Sequence, residues 1–448
     1  MPSLVELPNE LLLHIVSILR ETKGIAPQAA LASLCLTSRR LNDIAQPILF
    51  TAPQLYLLRG SDPLRHWWQF ARTVLETRDL ALRVRKLSLE APAYDDDDGE
   101  EEIASLRFDI DQCSAVKSAV NEDLGSQLFV HRLATLLITP LEKLEHLYLH
   151  LTTTANNTII RILHLSSKTY LSHVPRLKGL YVEPIANRKF PDLAVAMENV
   201  LLSPYLQRLS VQSLTFIEPF PLTWRGPQVQ PLELVELHLR GCYVMLSFIE
   251  PWFEACRHLK AVTFTSIADD AEGRFIQLRR PHYRKLTPMQ LLRALRSCTG
   301  TLERLDADFR GVYELDCLSV SFVEDELPDL GNDFTYESFQ EFTQLRHLRV
   351  EAVRFRDVGT LPSSLETLTL FGDDLGSVTR RCHTDFGNLR REQCPGLEKI
   401  CLQYGCMGEA EMQSTLAAME WTDKEDGYKN GPELMLECEL SGYGALTT

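Results

Sequence analysis

Leucine and its aliphatic substitutes recur along most of this chain in one unit, L-x-x-L-x-L. The unit reads VRKLSL from Val84, LEHLYL from Leu144, LKGLYV from Leu177, LQRLSV from Leu206 and LVELHL from Leu234. It continues as LKAVTF from Leu259, LERLDA from Leu302, LRHLRV from Leu345, LETLTL from Leu365 and LEKICL from Leu397. In L-x-L the two aliphatics fall on one side of an extended segment and their neighbours on the other, so each copy predicts a short strand with one buried face. A lone strand cannot bury that face. Stacked in parallel, the copies make a continuous core, and the chain between them must return to the start. Some returns have helical spacing: LTPMQLLRALRSC offers Thr287 as N-cap, Pro288 at the first helical position, and Leu291, Leu292 and Leu295 on one apolar face. Segments 191–202 and 409–421 behave similarly, and ELMLECELSGY (433–443) alternates as a closing strand would.

These ten copies resemble the leucine-rich-repeat family. Between Leu144 and Leu259 they start 33, 29, 28 and 25 residues apart, and longer intervals elsewhere imply insertions. The resemblance implies an α/β solenoid over residues 81–448, with parallel strands on the concave face and helices and loops on the convex face. Residues 51–80 are then a linker and first turn, and residues 1–50 form a separate helical domain.

That first segment follows another pattern. In LPNELLLHIVSIL (7–19), Leu11, Ile15 and Ile18 make one apolar stripe and Leu12, Val16 and Leu19 a second beside it. One small core cannot cover both stripes. The apolar run is too short to span a bilayer, and no basic stretch precedes it as in a secretory signal. With AALASLCLTSRRLNDIAQPILF after it, the segment predicts three short helices, opened by Pro8, by APQ and by LTSRR.

The residues Leu7, Pro8, Glu10, Leu11, Ile15, Leu19, Leu31, Leu34, Cys35, Ser38, Arg39, Leu41, Asn42 and Ala45 resemble the F-box motif. The chain departs from it in carrying Leu41 where a Trp is common, and in a long link, RETKGIAPQ, between the first two helices. Together with the repeats, the match is to fungal-type F-box/leucine-rich-repeat substrate receptors of SCF ubiquitin ligases. It implies that Leu7, Pro8, Glu10, Leu11, Ile15, Leu19, Leu34 and Leu41 meet a Skp-family linker protein, and through it a cullin. The other use of the same apolar surface is internal, as a cap on the open end of the repeats.

Composition changes the picture mainly by exclusion. A net charge of −15 argues against nucleic acid as a partner. The excess is concentrated in DDDDGEEE (95–102) and in 311–341, where nine carboxylates occur without a Lys or Arg. Eleven cysteines without tight spacing fit reduced core thiols in a cytoplasmic or nuclear protein. The sequence contains no phosphate loop, zinc pair or nucleophile elbow. Cys394, Cys401 and Cys406 are too widely spaced for paired zinc ligands, and Cys382 with His383 reads as surface loop. The expected protein is therefore no enzyme, with no cofactor, no metal and no membrane partner.

Function then belongs to surfaces. Across the thirty positions formed by the central x of each strand and its flanks, six residues are basic and six acidic. Aromatic and Arg side chains are the usual anchors of interfaces, so Tyr148, Tyr181, His238, Arg240, Arg304 and Arg349 are the candidates for contact with a protein substrate. The basic loop RFIQLRRPHYRK (274–285) is either a clamp for an acidic motif or a solvated loop. Two uses of the whole chain stay open: a ligase substrate receptor, or a repeat scaffold acting outside any ligase.

Overall fold

A computed structural model describes residues 7–21, 25–55, 63–90, 133, 136–151, 177–184, 205–213, 215–216, 232–244, 246–266, 286–310, 335–355, 358–372, 393–404 and 433–438. The acidic insertion at 91–105, the basic loop 274–285, the expected helices at 191–202 and 409–421, Cys382, His383 and Cys406 lie outside the described residues, as does most of 311–341. The chain packs as two compact units, Met1–Val211 and Gln212–Thr448.

The first unit begins with three helices, α1 (Asn9–Glu21), α2 (Ile25–Thr37) and α3 (Arg39–Leu49). The Pro8 carbonyl accepts the first α1 bond from Leu12 N–H at 3.1 Å. The Ser38 hydroxyl caps α3 by accepting from Leu41 N–H at 3.2 Å. Val16, Leu31 and Ala45, one from each helix, form the buried centre, with Leu19, Leu34, Cys35 and Ile44 packed on it. Arg40 of α3 ties down the start of α1: its guanidinium donates to Asn9 Oδ1 at 2.8 and 2.9 Å and to the Leu7 carbonyl at 2.6 Å.

After these come β1 (Gln54–Leu55), α4 (Pro63–Glu76), the short α5 (Arg78–Ala81), and four repeat strands: β2 (Lys86–Glu90), β3 (His146–Leu151), β4 (Gly179–Pro184) and β5 (Arg208–Gln212). Helix α4 occupies the stretch expected to be linker and first turn, and it buries Trp67, Trp68, Phe70 and Val74. The strands pair in parallel, with Leu87, Leu147, Leu180 and Leu209 in one register row. Leu89, Leu149, Val182 and Val211 form the next row. All eight are buried, as are Val84, Leu144, Leu177 and Leu206, the first positions of the four copies.

The second unit repeats the plan: β6 (Thr215–Phe216), β7 (Glu236–Val244), α6 (Leu246–Ala255), β8 (Ala261–Ser266), α7 (Pro288–Ala294), β9 (Arg304–Asp308), β10 (His347–Glu351), β11 (Thr367–Gly372), β12 (Lys399–Tyr404) and β13 (Glu433–Cys438). All pairings from β7 to β13 are parallel and between strands consecutive in the chain, and β6 lies beside β7. Leu237, Val262, Leu305, Leu348, Leu368 and Ile400 align as the central aliphatic row and are buried. Between Leu239 and Cys242 the register shifts, at Gly241 with φ +56. A side chain there would be strained, so glycine suits the bulge.

Helix α7 has the expected start: Thr287 Oγ1 accepts from Gln290 N–H at 3.2 Å, and Gln290 Oε1 accepts from Thr287 N–H at 3.1 Å. Leu291, Leu292 and Leu295 are buried. The fold class is thus α/β: N-terminal helices, then parallel strands in the order and spacing of a leucine-rich repeat. Cys242, Cys256, Cys298, Cys394 and Cys401 are buried free thiols, and burial raises the Cys256, Cys298 and Cys394 pKa values.

Candidate interaction surfaces

Two surfaces carry chemistry: the outside of the three helices, and the strand faces opposite the leucine rows. On α1 the two sequence stripes separate. Leu12 and Val16 point inward at 1% exposure each, while Leu11 (49%), Leu13 (47%) and Ile18 (52%) are half in water. Pro8 and Glu10 are exposed as well, and Leu7 and Ile15 are half-buried. Leu36, near the end of α2, is 88% exposed.

The expected linker-binding residues therefore fall into two groups. Leu7, Pro8, Glu10, Leu11 and Ile15 reach the surface. Leu41 is buried, and Leu19 and Leu34 pack on the Val16–Leu31–Ala45 centre, so these three hold the helices together. Leu13, Ile18 and Leu36 belong to the exposed apolar set but were absent from the sequence candidates. Ile18 was legible as the third member of the Leu11 stripe; Leu36 carried no signal beyond being apolar.

In the first unit the outward positions of β2–β5 fall into three rows by strand register. Nearest the strand starts are Lys86, His146, Gly179 and Arg208. In the middle are Ser88, Tyr148, Tyr181 and Ser210, and beyond them Glu90, His150 and Glu183. The Tyr148 and Tyr181 rings stack at 4.2 Å with planes 5° apart. Glycine at 179 suits this packing, since a Cβ there would press on His146 Nδ1 and lie 3.0 Å from Tyr181 Cε2, so that the rings would have to shift. The His146 pKa is lowered, first by burial and then by Lys86, with Arg208 and Lys178 acting in the same direction against Glu145. His150 Nε2 lies 3.1 Å from Ser88 Oγ, and its Nδ1 is 3.9 Å from Glu183.

The second unit presents a different face. Arg349 is held in place: it donates to Asp306 at 2.9 Å and to Gln403 at 3.0 Å, and its guanidinium lies 4.2 Å over the Phe371 ring. Beside it, Glu351 is fully buried. Its carboxylate accepts from Phe309 N–H at 2.5 Å and from the Tyr336 hydroxyl at 3.1 Å, with Arg354 at 3.2 Å. Burial still dominates, and the Glu351 pKa is pushed up to about 7. His238 pairs with Thr263 Oγ1 at 3.0 Å, and its pKa is lowered first by burial and then by Arg240. Arg240 and Arg304 are exposed on β7 and β9. The six candidates divide between the units, Tyr148 and Tyr181 coming together in the first and Arg349 being engaged within the second.

Among the described residues no three His, Cys, Asp or Glu side chains gather as metal ligands, and no helix is long and apolar enough to cross a membrane. The fold is that of an α/β repeat protein with parallel strands. No protein-family model and no curated protein matches the chain. Among solved structures it is similar to a chain of the crystal structure of the Rad7 and Elc1 complex in yeast, at 15% identity over 92% of this chain and 85% of that one, with a TM-score of 0.35.

Proposed function

We propose that this chain is the substrate-recognition subunit of an SCF-type ubiquitin ligase: α1–α3 dock a Skp-family linker protein, and through it a cullin, while the strand faces hold a target protein. The observation that carries the proposal is the outer side of α1. A three-helix unit with its own buried centre leaves Leu11, Leu13 and Ile18 half in water, with Leu36 almost wholly so. On one stripe of α1, Leu11 and Ile18 together leave the equivalent of about one whole apolar residue uncovered. Covering it is worth on the order of 1.5–3 kcal/mol, a fraction of a micromolar association. Catalysis is then proximity: the chain raises the effective concentration of target lysines near a charged ubiquitin carrier, and none of its residues does covalent chemistry.

Affinity purification followed by mass spectrometry tests this, comparing the natural chain with a Leu11→Asp/Ile18→Asp variant. Both side chains are exposed, so the variant should melt as the natural chain does. Skp-family and cullin subunits should be recovered with the natural chain and lost with the variant, while targets remain. Recovery of neither subunit with the natural chain would overturn the proposal in favour of a scaffold outside any ligase.

A further inference from the structure

The three rows on β2–β5 have an order that neither the helices nor the leucine core needs. Along each strand, residues two apart point the same way and lie about 6.6 Å apart. The surface therefore passes from cationic (Lys86, Arg208) through hydroxyl and aromatic (Ser88, Tyr148, Tyr181, Ser210) to anionic (Glu90, Glu183) within roughly 13 Å. Core packing does not dictate this arrangement, since all of these side chains point away from the leucines.

Within β2–β5 the middle row takes a step at β5. Tyr148 and Tyr181 stand ring against ring, but the next residue in register, Ser210, has no ring. A flat side chain placed above Ser210 meets the second face of Tyr181 as the third plate of the stack, between Arg208 on one side and the Glu183 row on the other. Offset stacking of this kind adds to simple burial.

We infer that this face binds an extended polypeptide segment with an acidic residue, an aromatic residue and a basic residue at alternate positions. In an extended peptide, residues i, i+2 and i+4 share a face and span about 13 Å, which matches the separation of the cationic and anionic rows. The acidic side chain sits at Arg208, the aromatic ring above Ser210 against Tyr181, and the basic side chain at Glu183. The inference rests on the proposed role of the strand face in holding a target, and it does not depend on which protein covers α1.

The test uses the purified full chain and immobilised nonapeptides in about 150 mM salt, where long-range attraction to the −15 net charge is screened. The probe is Gly-Ser-Asp-Ala-Tyr-Ala-Lys-Ser-Gly, compared with versions carrying two Asp, two Lys, or Ala in place of Tyr. The mixed-charge peptide should bind about threefold to tenfold tighter than either single-sign peptide, and replacing its Tyr should weaken it about tenfold. Arg208→Glu should turn the preference toward the two-Lys peptide and Glu183→Arg toward the two-Asp peptide. Ser210→Tyr, which supplies the third plate from within, should remove the benefit of the peptide Tyr while leaving the melting curve unchanged. A uniform preference for the two-Lys peptide that neither charge variant moves would overturn the inference, as would equal binding of the Tyr and Ala peptides. Linker capture is read in parallel on the same protein, so lost peptide selectivity with linker binding intact sinks this inference alone.

Discussion

Leu180 and Tyr181 are adjacent on β4 and point to opposite faces, so substitutions at the two positions should differ by several kcal/mol. Leu180 is fully buried and sits in register between Leu147 and Leu209. In Leu180→Asp the new carboxyl has no partner there, and at pH 7 it folds most cheaply as the neutral acid. Protonating a group of ordinary pKa near 3.9 at pH 7 costs about 4 kcal/mol. Losing the leucine's burial adds about 1.5–3 kcal/mol. The total of about 6–7 kcal/mol is comparable to the whole stability of a typical domain. Tyr181→Ala removes a half-buried ring and its stack on Tyr148, worth about 1–2 kcal/mol. The sign of the pH effect follows. The buried Asp has a folded pKa far above its unfolded one, so its penalty grows as pH rises and should shrink by about 2.7 kcal/mol from pH 7 to pH 5. Urea denaturation followed by circular dichroism, reported as variant minus natural chain at each pH, measures both numbers. Equal losses for Leu180→Asp and Tyr181→Ala, or a Leu180→Asp deficit that does not change with pH, would show that the strand faces are assigned the wrong way round.

Two further perturbations test other parts of the structure. Glu351 has its pKa raised to about 7 by burial, so the fold favours its neutral form, and the associated stability is fully present below about pH 4.5 and lost as pH rises through 7. Glu351→Gln, a neutral isostere, should remove about 2.5 kcal/mol of that pH dependence between pH 5 and pH 8 in urea melts. Gly179→Ala drives a methyl group against His146 Nδ1, and should cost about 1–3 kcal/mol in the same assay and disturb the Tyr148–Tyr181 stack, seen as a change in near-ultraviolet circular dichroism.

The strands were legible because their constraint is local. With aliphatics at the first, fourth and sixth positions of each copy, only one face can be buried, and all ten first positions, Val84 to Leu397, are buried in the structure. Capping of α7 was legible for the same reason, since Thr287, Pro288 and Gln290 supply it within four residues. Helix α4 was not recognised, although PLRHWWQFARTVLE places Trp67, Ala71 and Val74 at helical spacing. Its place lay before the first clear repeat, where the repeat pattern gives no guidance.

Sorting the α1 stripes required tertiary information. Leu11 and Leu12 are chemically identical neighbours, and the choice between them is made by Val16, Leu31 and Ala45 meeting from three helices, and by Arg40 fixing where α1 begins. Leu41 shows the converse: a position assigned to a partner by resemblance proved to be buried. The rows on β2–β5 are the clearest case of information carried by register alone. Lys86, His146 and Arg208 are spread over more than 120 residues of sequence, and only the parallel alignment of one L-x-L with the next sets them side by side. Counting charges over all strand faces gave a neutral surface, six against six, because the sum discards position. On β2–β5, the charged residues placed by register give a field that reverses sign over roughly 13 Å, and selectivity for a partner depends on such a gradient more than on the net charge.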